Sequence, residues 1–305
     1  MDLVFDRVTK FYGPVIGVND VECRFEPGIV GLLGANGAGK STLLKLAAGQ
    51  LRPSYGEVRV GAFAARSTDA HRHVGYCPAS GAFYEDMTCR EFVRAMAVLY
   101  GHTRREAQER AEIALEEVGM TERAERRMGG CSHGMRQRVN LAQALVNDPA
   151  VLLLDEPLTG IDPGGRREMN ELLRRLAESG KTIIVSTHLL HEIEALVDEI
   201  MMMSQGRLIA TGTLAEIRAM IDDEPMTIAI EAREARKLAA RLVELPEVQS
   251  IEIDGDVVRV RSHRVAKFYA AFGQLASDES WQVRRLEALD AGADSVFRYL
   301  EQGAT

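Results

Sequence analysis

The sequence predicts an α/β protein in which a parallel sheet wrapped by helices is followed by a second, smaller α+β domain. Three observations carry that expectation. Apolar runs at Ile29 to Leu33, Val151 to Leu154 and Thr182 to Val185 alternate with helical stretches, as in strands covered on both faces. A glycine-rich turn from Gly34 to Gly39 joins the first of these runs directly to a helix. An acidic break, Asp222-Asp223-Glu224-Pro225, then separates residues 1–221 from residues 226–305.

The elements follow in order. Val21-Glu22-Cys23-Arg24-Phe25 alternates apolar and charged residues, the pattern of a half-buried strand, and Pro27-Gly28 turns the chain. After the glycine-rich turn, Ser41 to Ala48 begins a helix that stops near Gly49. A helical stretch spans about 79–135. Within it, Thr88 with Glu91 and Thr103 with Glu106 have capping-box spacing, opening helices at 89–100 and 104–118 that end near Gly101 and Gly119. Asp162-Pro163 starts a helix running to Gly180, and Glu199 to Ala210 forms a hairpin turning at Gln205-Gly206. The run Met201-Met202-Met203 inside that hairpin is strand packing rather than a metal or ligand site. Beyond the acidic break come a strand (Thr227–Ile230), a helix (Ala235–Leu245), a hairpin around Asp254-Gly255, a helix (Val265–Leu275) and a strand (Trp281–Leu286). A last helix is expected over Asp294–Leu300. This βαββαβ order resembles a ferredoxin-like domain, on pattern alone.

Composition narrows the function. The 305 residues carry a net charge of −8, which disfavours a protein built to grip a nucleic-acid backbone. Cys23, Cys77, Cys89 and Cys131 form no CxxC pair and no metal-ligand spacing, which fits small buried thiols in a reduced compartment. Charges at Asp2, Asp6 and Arg7 stand where a secretory leader needs an apolar stretch. Nowhere do about 18 apolar residues run together, so any membrane role is expected to come through a partner.

Two constellations carry chemistry. Gly34-Ala35-Asn36-Gly37-Ala38-Gly39-Lys40-Ser41 follows a buried strand and opens a helix, the context of a phosphate-binding loop. Glycines let the backbone approach phosphates, whose charge then meets backbone amides and the positive helix end. Lys40 is expected to reach the β- and γ-phosphates and the Ser41 hydroxyl to ligate Mg²⁺; Thr42 continues the site. The bland alternative is a glycine-rich turn beside a solvated lysine. In the second constellation, the strand Val151 to Leu154 delivers Asp155 and Glu156 at its end. Asp155 would hold the metal, and Glu156 would orient and deprotonate an attacking water. A solvated acidic strand end is the competing reading, and it loses beside the phosphate loop.

Further motifs carry a family resemblance. Cys131-Ser132-His133-Gly134-Met135-Arg136-Gln137-Arg138 resembles the signature of ATP-binding-cassette (ABC) proteins, usually written LSGGQ-x-Q-R. Thr159-Gly160-Ile161-Asp162 matches the D-loop, and Ser186-Thr187-His188 the switch histidine. Phe11-Tyr12-Gly13 places Tyr12 where the family stacks a ring on adenine. The resemblance covers residues 3 to about 220. It implies a P-loop NTPase (RecA-like) core with an antiparallel β subdomain and a helical subdomain. It implies ATP and Mg²⁺ as cofactors, and two cassettes, as a homodimer or with a similar cassette, sandwiching two ATP molecules. Each ATP would lie between one phosphate loop and the Ser132, His133, Gly134 and Met135 of the other subunit. His188 would hydrogen-bond the γ-phosphate and the water near Glu156. It also implies an integral membrane permease as partner, a place on the cytoplasmic face of the membrane, and no nucleic acid.

Three departures stand out. Cys131, His133 and Met135 replace the Leu, Gly and Gln of the usual signature, while Ser132 and Gly134 remain. Tyr76-Cys77-Pro78 is followed by Ala79 where the family's Q-loop carries Gln or Glu, so that side chain can ligate nothing; Ser80 is the nearest substitute. Pro157-Leu158 replaces a commoner Pro-Thr. Phe83, Tyr84, Met87 and Phe92 fall where the family's membrane partner docks, with core packing the preferred reading for Phe92. Single cassettes of this length with a small C-terminal domain resemble those of export systems, so export is expected. The rivals are a soluble ABC-type ATPase of translation or DNA repair, and a regulatory module that binds nucleotide without useful turnover. The first would need a second cassette or a long coiled coil, which this chain lacks.

Overall fold

Strand β3 (Gly28–Leu33) lies inside a six-stranded sheet that organises the larger part of the molecule. The computed structural model describes residues 1–189, 193–213, 215–216, 226–262, 264–276 and 281–289. The chain divides into two units, Met1–Thr211 and Gly212–Thr305. The expected boundary at Asp222–Pro225 and the expected helix over Asp294–Leu300 lie outside the described residues.

In the first unit, β1 (Leu3–Tyr12), β2 (Val15–Phe25), β4 (Tyr55–Val60) and β5 (Phe63–Ala64) form an antiparallel sheet in the order β2-β1-β4-β5. The other sheet runs β10-β9-β3-β8-β7-β6, with β6 (Val74–Cys77), β7 (Val151–Asp155), β8 (Thr182–Thr187), β9 (Glu199–Ser204) and β10 (Arg207–Gly212). Its β6, β7, β8, β3 and β9 pair in parallel. Every residue of β7 and β8 is buried, as the apolar runs require.

Helix α1 (Lys40–Ala47) joins the two sheets. Its Leu43, Leu44, Leu46 and Ala47 are buried in one cluster with Phe5 and Phe25 of the antiparallel sheet and Leu153 and Ile184 of the parallel one. Each buried leucine contributes about 1.5–3 kcal/mol. The short α2 (Thr68–His71) is capped by Ser67.

The helical stretch contains α3 (Cys89–Leu99) and α4 (Arg104–Glu117), and α5 (His133–Leu145) starts at its end and runs on beyond Met135. Both expected capping boxes form. Thr88 Oγ1 accepts from the Glu91 amide at 3.1 Å and the Glu91 carboxylate accepts from the Thr88 amide at 2.9 Å. The Thr103 and Glu106 pair repeats the pattern. Phe92 is buried, with the Phe83 ring 5.2 Å away, whereas Tyr84 is exposed. Cys89 and Cys131 are buried free thiols.

Strand β6 closes one edge of the parallel sheet, and side chains from the helices answer its outward carbonyls. Tyr100 OH donates to Val74 O at 3.3 Å, Gln143 Nε2 to Tyr76 O at 2.7 Å, and Asn140 Nδ2 to Pro78 O at 2.8 Å. An edge that would otherwise offer itself for pairing is covered.

The second unit is an antiparallel sheet ordered β12-β13-β11-β14, with β11 (Met226–Ala232), β12 (Val248–Asp254), β13 (Val257–Ser262) and β14 (Val283–Ala288). Helix α7 (Ala235–Leu242) connects β11 to β12, and α8 (Val265–Ala276) connects β13 to β14. The strand that follows α7 is not the neighbour of β11; β13 lies between, which is the split βαβ arrangement of a ferredoxin-like domain. Its own core gathers Ile228, Ile230, Leu238, Leu242, Val258, Val260, Phe268 and Phe272.

Among the described residues no helix is long and apolar enough to cross a membrane. Because each unit has its own core, a chain ending at Ile221 is expected to remain soluble and melt cooperatively. Phe268→Ala in the full chain should cost its own unit about 3–5 kcal/mol, the usual range for emptying a buried aromatic site. Calorimetry of both proteins checks this; insoluble truncated protein would show that the C-terminal unit completes the main core.

Candidate active site

Three strands deliver their C-terminal ends to one edge of the parallel sheet. Leu33 of β3 sits opposite Thr187 of β8, and Asp155 of β7 sits opposite Ser186 of β8. Ligand sites of open α/β sheets form at such carboxyl ends.

From β3 the loop Gly34 to Gly39 turns into α1. The Ala38 amide donates to Ala35 O at 3.1 Å, and the Gly206 amide donates to Ala38 O at 2.9 Å, fixing the loop from behind. Gly39 has φ 106°, and a Cβ there would lie 2.5 Å from the Gly17 carbonyl oxygen, so no other residue fits. No side chain caps α1, which leaves its first amides to whatever approaches the loop. Asn36, Gly37 and Ser41 are exposed, while Gly34 and Ala38 are buried and Thr42 half-buried.

Lys40 is buried, and its Nζ donates to Gly34 O at 2.6 Å and Ala35 O at 3.2 Å. Burial pulls its ammonium below the usual lysine range, against the charges of Glu156 and Asp155, which act to raise it. The nearer acid, Glu156, has Oε1 3.9 Å from Nζ.

Asp155 is 3% exposed, and its Oδ1 accepts from Ser186 Oγ at 2.7 Å. On the other oxygen, Tyr76 OH approaches at 3.5 Å; burial first, then the Asp155 charge, raises that phenol's pKa. Glu156 adopts φ 50°, left-handed for a residue with a side chain. Its amide donates to both the carbonyl and the hydroxyl oxygen of Ser186, each at 3.1 Å, which holds the turn in that conformation. The turn aims the carboxylate back across the loop: Oε1 lies 3.2 Å from His188 Nδ1, and Oε2 accepts from Thr159 Oγ1 at 3.3 Å.

The remaining motif residues take up local roles. Ser132 caps α5, accepting from the Met135 amide at 3.3 Å. His133 Nε2 lies 2.8 Å from Thr159 O, and Gly134 follows it in the first turn. Asp162 caps α6 (Pro163–Glu178) by accepting from the Gly164 and Gly165 amides at 3.0 Å; these amides, Gly165 foremost, hold its carboxyl below the usual range. Tyr12 is exposed, with its hydroxyl 3.4 Å from Thr42 Oγ1 and Lys10 Nζ 5.5 Å from its ring centre.

The geometry thus gathers Lys40, Asp155, Glu156 and His188, and joins the signature to them through His133 and Thr159. Sequence reasoning missed Tyr76 and the double role of Ser186. It also missed Asn140 and Gln143, although amides at 137, 140 and 143 recur every three residues along the helix and signal a polar stripe with buried partners.

Residues 18–159 match the family model described as ABC transporter. The chain is 38% identical to the uncharacterized ABC transporter ATP-binding protein YxlF of Bacillus subtilis, over 77% of this chain and 75% of that protein. It is 35% identical to the Nod factor export ATP-binding protein I of Burkholderia thailandensis, over 83% of this chain and 84% of that one. Among solved structures, a dimeric bacterial ABC transporter cassette, MJ0796, superposes with a TM-score of 0.64 at 25% identity, covering 70% of this chain and 98% of the other. The same cassette has been solved in a post-hydrolysis state bound to ADP and Pi, with the same score and coverage. With the phosphate loop, paired acids, switch histidine and signature on one P-loop scaffold, the chain belongs to the ABC transporter ATP-binding proteins and is an ATPase subunit of a transporter.

Proposed function

We propose that this subunit hydrolyses ATP in a pair of cassettes to drive export through a separate membrane-spanning permease. The observation that carries the hydrolytic reading is the convergence of Lys40, Asp155, Glu156 and His188 at the carboxyl ends of three adjacent strands. Similarity over 83% of the chain to an ATP-binding protein named for Nod factor export supports the direction.

In this reading the loop amides of Gly34, Asn36, Gly37, Ala38 and Gly39, with Ser41 and Thr42, bind the phosphates of ATP, and Tyr12 stacks on the adenine. Lys40 exchanges the Gly34 and Ala35 carbonyls for the β- and γ-phosphate oxygens. Glu156 accepts a proton from water as the water oxygen bonds to the γ-phosphorus and the bond to ADP breaks, giving ADP and phosphate. His188 and Thr159 fix the two carboxylate oxygens, so the base is aimed before water arrives.

The Ser41 hydroxyl and the Asp155 carboxylate are hard oxygen donors, the class that suits Mg²⁺, and both belong to this edge of the sheet. When bound there, Mg²⁺ would neutralise charge on the β- and γ-phosphates. Ser186 holds the Asp155 carboxylate in place. Ser132, Gly134 and Met135, with the D-loop Asp162, face the ATP of the second cassette, whereas the His133 side chain is turned to Thr159 O of its own chain. The permease docks on the helical stretch of residues about 79–135 and its junction with the core. There Tyr84 is 68% exposed, and Leu99, 78% exposed, borders a groove of about 380 Å³ with Gln50, Tyr76 and Tyr100. The subunit is thereby held at the cytoplasmic face of the membrane, and residues 226–305 regulate or dimerise.

Glu156→Gln is expected to bind ATP normally while hydrolysis falls about 10²–10⁴-fold, the worth of a positioned base. Gel filtration with Mg-ATP should then show an accumulated dimer, and normal turnover in the variant would sink the assignment. Ser186→Ala strips support from both acids and should cost about 1–3 kcal/mol of stability in urea titrations. Tyr76→Phe removes only the long contact at 3.5 Å and should leave stability within about 0.5 kcal/mol. Ala79 is exposed, and Mg²⁺ readily keeps water in place of a missing ligand. Ala79→Gln should therefore lower the Mg²⁺ requirement or raise turnover, with Ser80→Ala silent. The reverse result would mean a site rebuilt around Ser80.

A further inference from the structure

His133 is the residue that breaks the signature pattern most, standing where the family carries glycine. Helix stability does not explain it. It occupies the first position of α5, whose first turn already has the Ser132 cap, and a basic side chain is disfavoured at a helix N-terminus. Its side chain is instead engaged by the loop that follows Glu156. Nε2 lies 2.8 Å from Thr159 O, and because a carbonyl only accepts, Nε2 carries the hydrogen. The loop is shaped for that ring: Gly160 has φ 72°, and a Cβ there would sit 3.0 Å from both Cδ2 and Nε2 of His133.

The same threonine continues the line. Its Oγ1 donates to Glu156 Oε2 at 3.3 Å, and its amide donates to Glu156 O at 3.3 Å. Glu156 is thus held from three sides: through its amide by Ser186, through Oε1 by His188, and through Oε2 by a threonine that His133 fixes.

We propose that His133 is a positioning residue for Glu156 of its own chain, acting through Thr159, rather than a ligand of the nucleotide. This rests on the assignment of Glu156 as the base. It makes the first turn of the signature helix and the base of the same subunit move as one unit. In a pair of cassettes the signature serves one ATP and Glu156 the other, so the line connects the two sites.

The test compares His133→Ala, His133→Gln, Thr159→Val and the double variant H133A/T159V in the full-length chain by steady-state ATPase kinetics, with melting curves to confirm folding. H133A and T159V should each lower kcat about 3–10-fold, the worth of one net hydrogen bond, with KM for ATP nearly unchanged. H133Q, whose amide can still donate to the Thr159 carbonyl, should recover most of the loss. Because the two bonds lie in series, the double variant should be no slower than the slower single one. In an E156Q background, H133A should leave the yield of Mg-ATP-induced dimer unchanged. A raised KM, or loss of that dimer, would show that His133 binds the nucleotide directly. Multiplying effects in the double variant, or unaltered kcat in H133A, would also overturn the proposal. A wild-type chain without ATPase activity would instead overturn the hydrolytic reading on which it rests.

Discussion

Ser186 Oγ donates to Asp155 Oδ1 at 2.7 Å and accepts the Glu156 amide at 3.1 Å, so one hydroxyl at the end of β8 sets both acids delivered by β7. That arrangement depends on parallel register. Asp155 pairs with Ser186, and two strands along, Leu33 pairs with Thr187, so the phosphate loop, the acids and His188 leave the sheet at one level. A slip of one residue would turn Asp155 to the other face and part it from the hydroxyl. Full burial of β7 and β8 makes such a slip expensive, since it would exchange every packed side chain along both strands. Core packing therefore aligns the acids, and the hydroxyl locks the last residues. The left-handed turn at Glu156, which costs on the order of 1–3 kcal/mol, persists because two acceptors on Ser186 converge on its amide.

Charge in the site is balanced for an anion to enter. Lys40 is buried, and its charge is met by two carbonyl oxygens and, at 3.9 Å, by Glu156. Burial lowers the lysine pKa, and the charges of Glu156 and Asp155 offset that only in part. An arriving phosphate competes with Glu156 for Lys40. The carboxylate keeps His188 and Thr159 as partners at its two oxygens.

Much of this was legible in the sequence because it is local. The capping boxes at Thr88 and Thr103, the Asp162 cap and the hairpin at Gln205-Gly206 each depend on residues within a few positions. The buried strands announce themselves by unbroken apolar runs, and the strand–loop–helix context identifies Lys40 at once. The order of β11 to β14 also followed from pattern. What stayed hidden is long-range and polar. Tyr76 meets Asp155 across 79 residues of sequence, and Asn140 and Gln143 reach Pro78 and Tyr76 across 62 and 67. No spacing rule connects such groups; only the sheet order brings β6 beside β7 and lays α5 along its edge. The left-handed conformation of Glu156 was equally invisible, since glutamate carries no local preference for it.

Two of the three departures from the family pattern are tied to helix α5. At one end His133 holds the turn that follows Glu156; further along, Asn140 holds the carbonyl of Pro78, the residue before Ala79. The second bond uses backbone, so it positions the chain after β6 whatever side chain occupies position 79. An alanine at position 79 therefore leaves the segment held by its backbone. The first bond does the opposite, adding a side-chain tether where the family has none. With Glu156 as the base and Mg²⁺ beside Ser41 and Asp155, as proposed above, the site would depend on where α5 sits through both of these bonds. Contact of that helix with a partner would then bear on the chemistry of its own subunit through groups that touch no substrate.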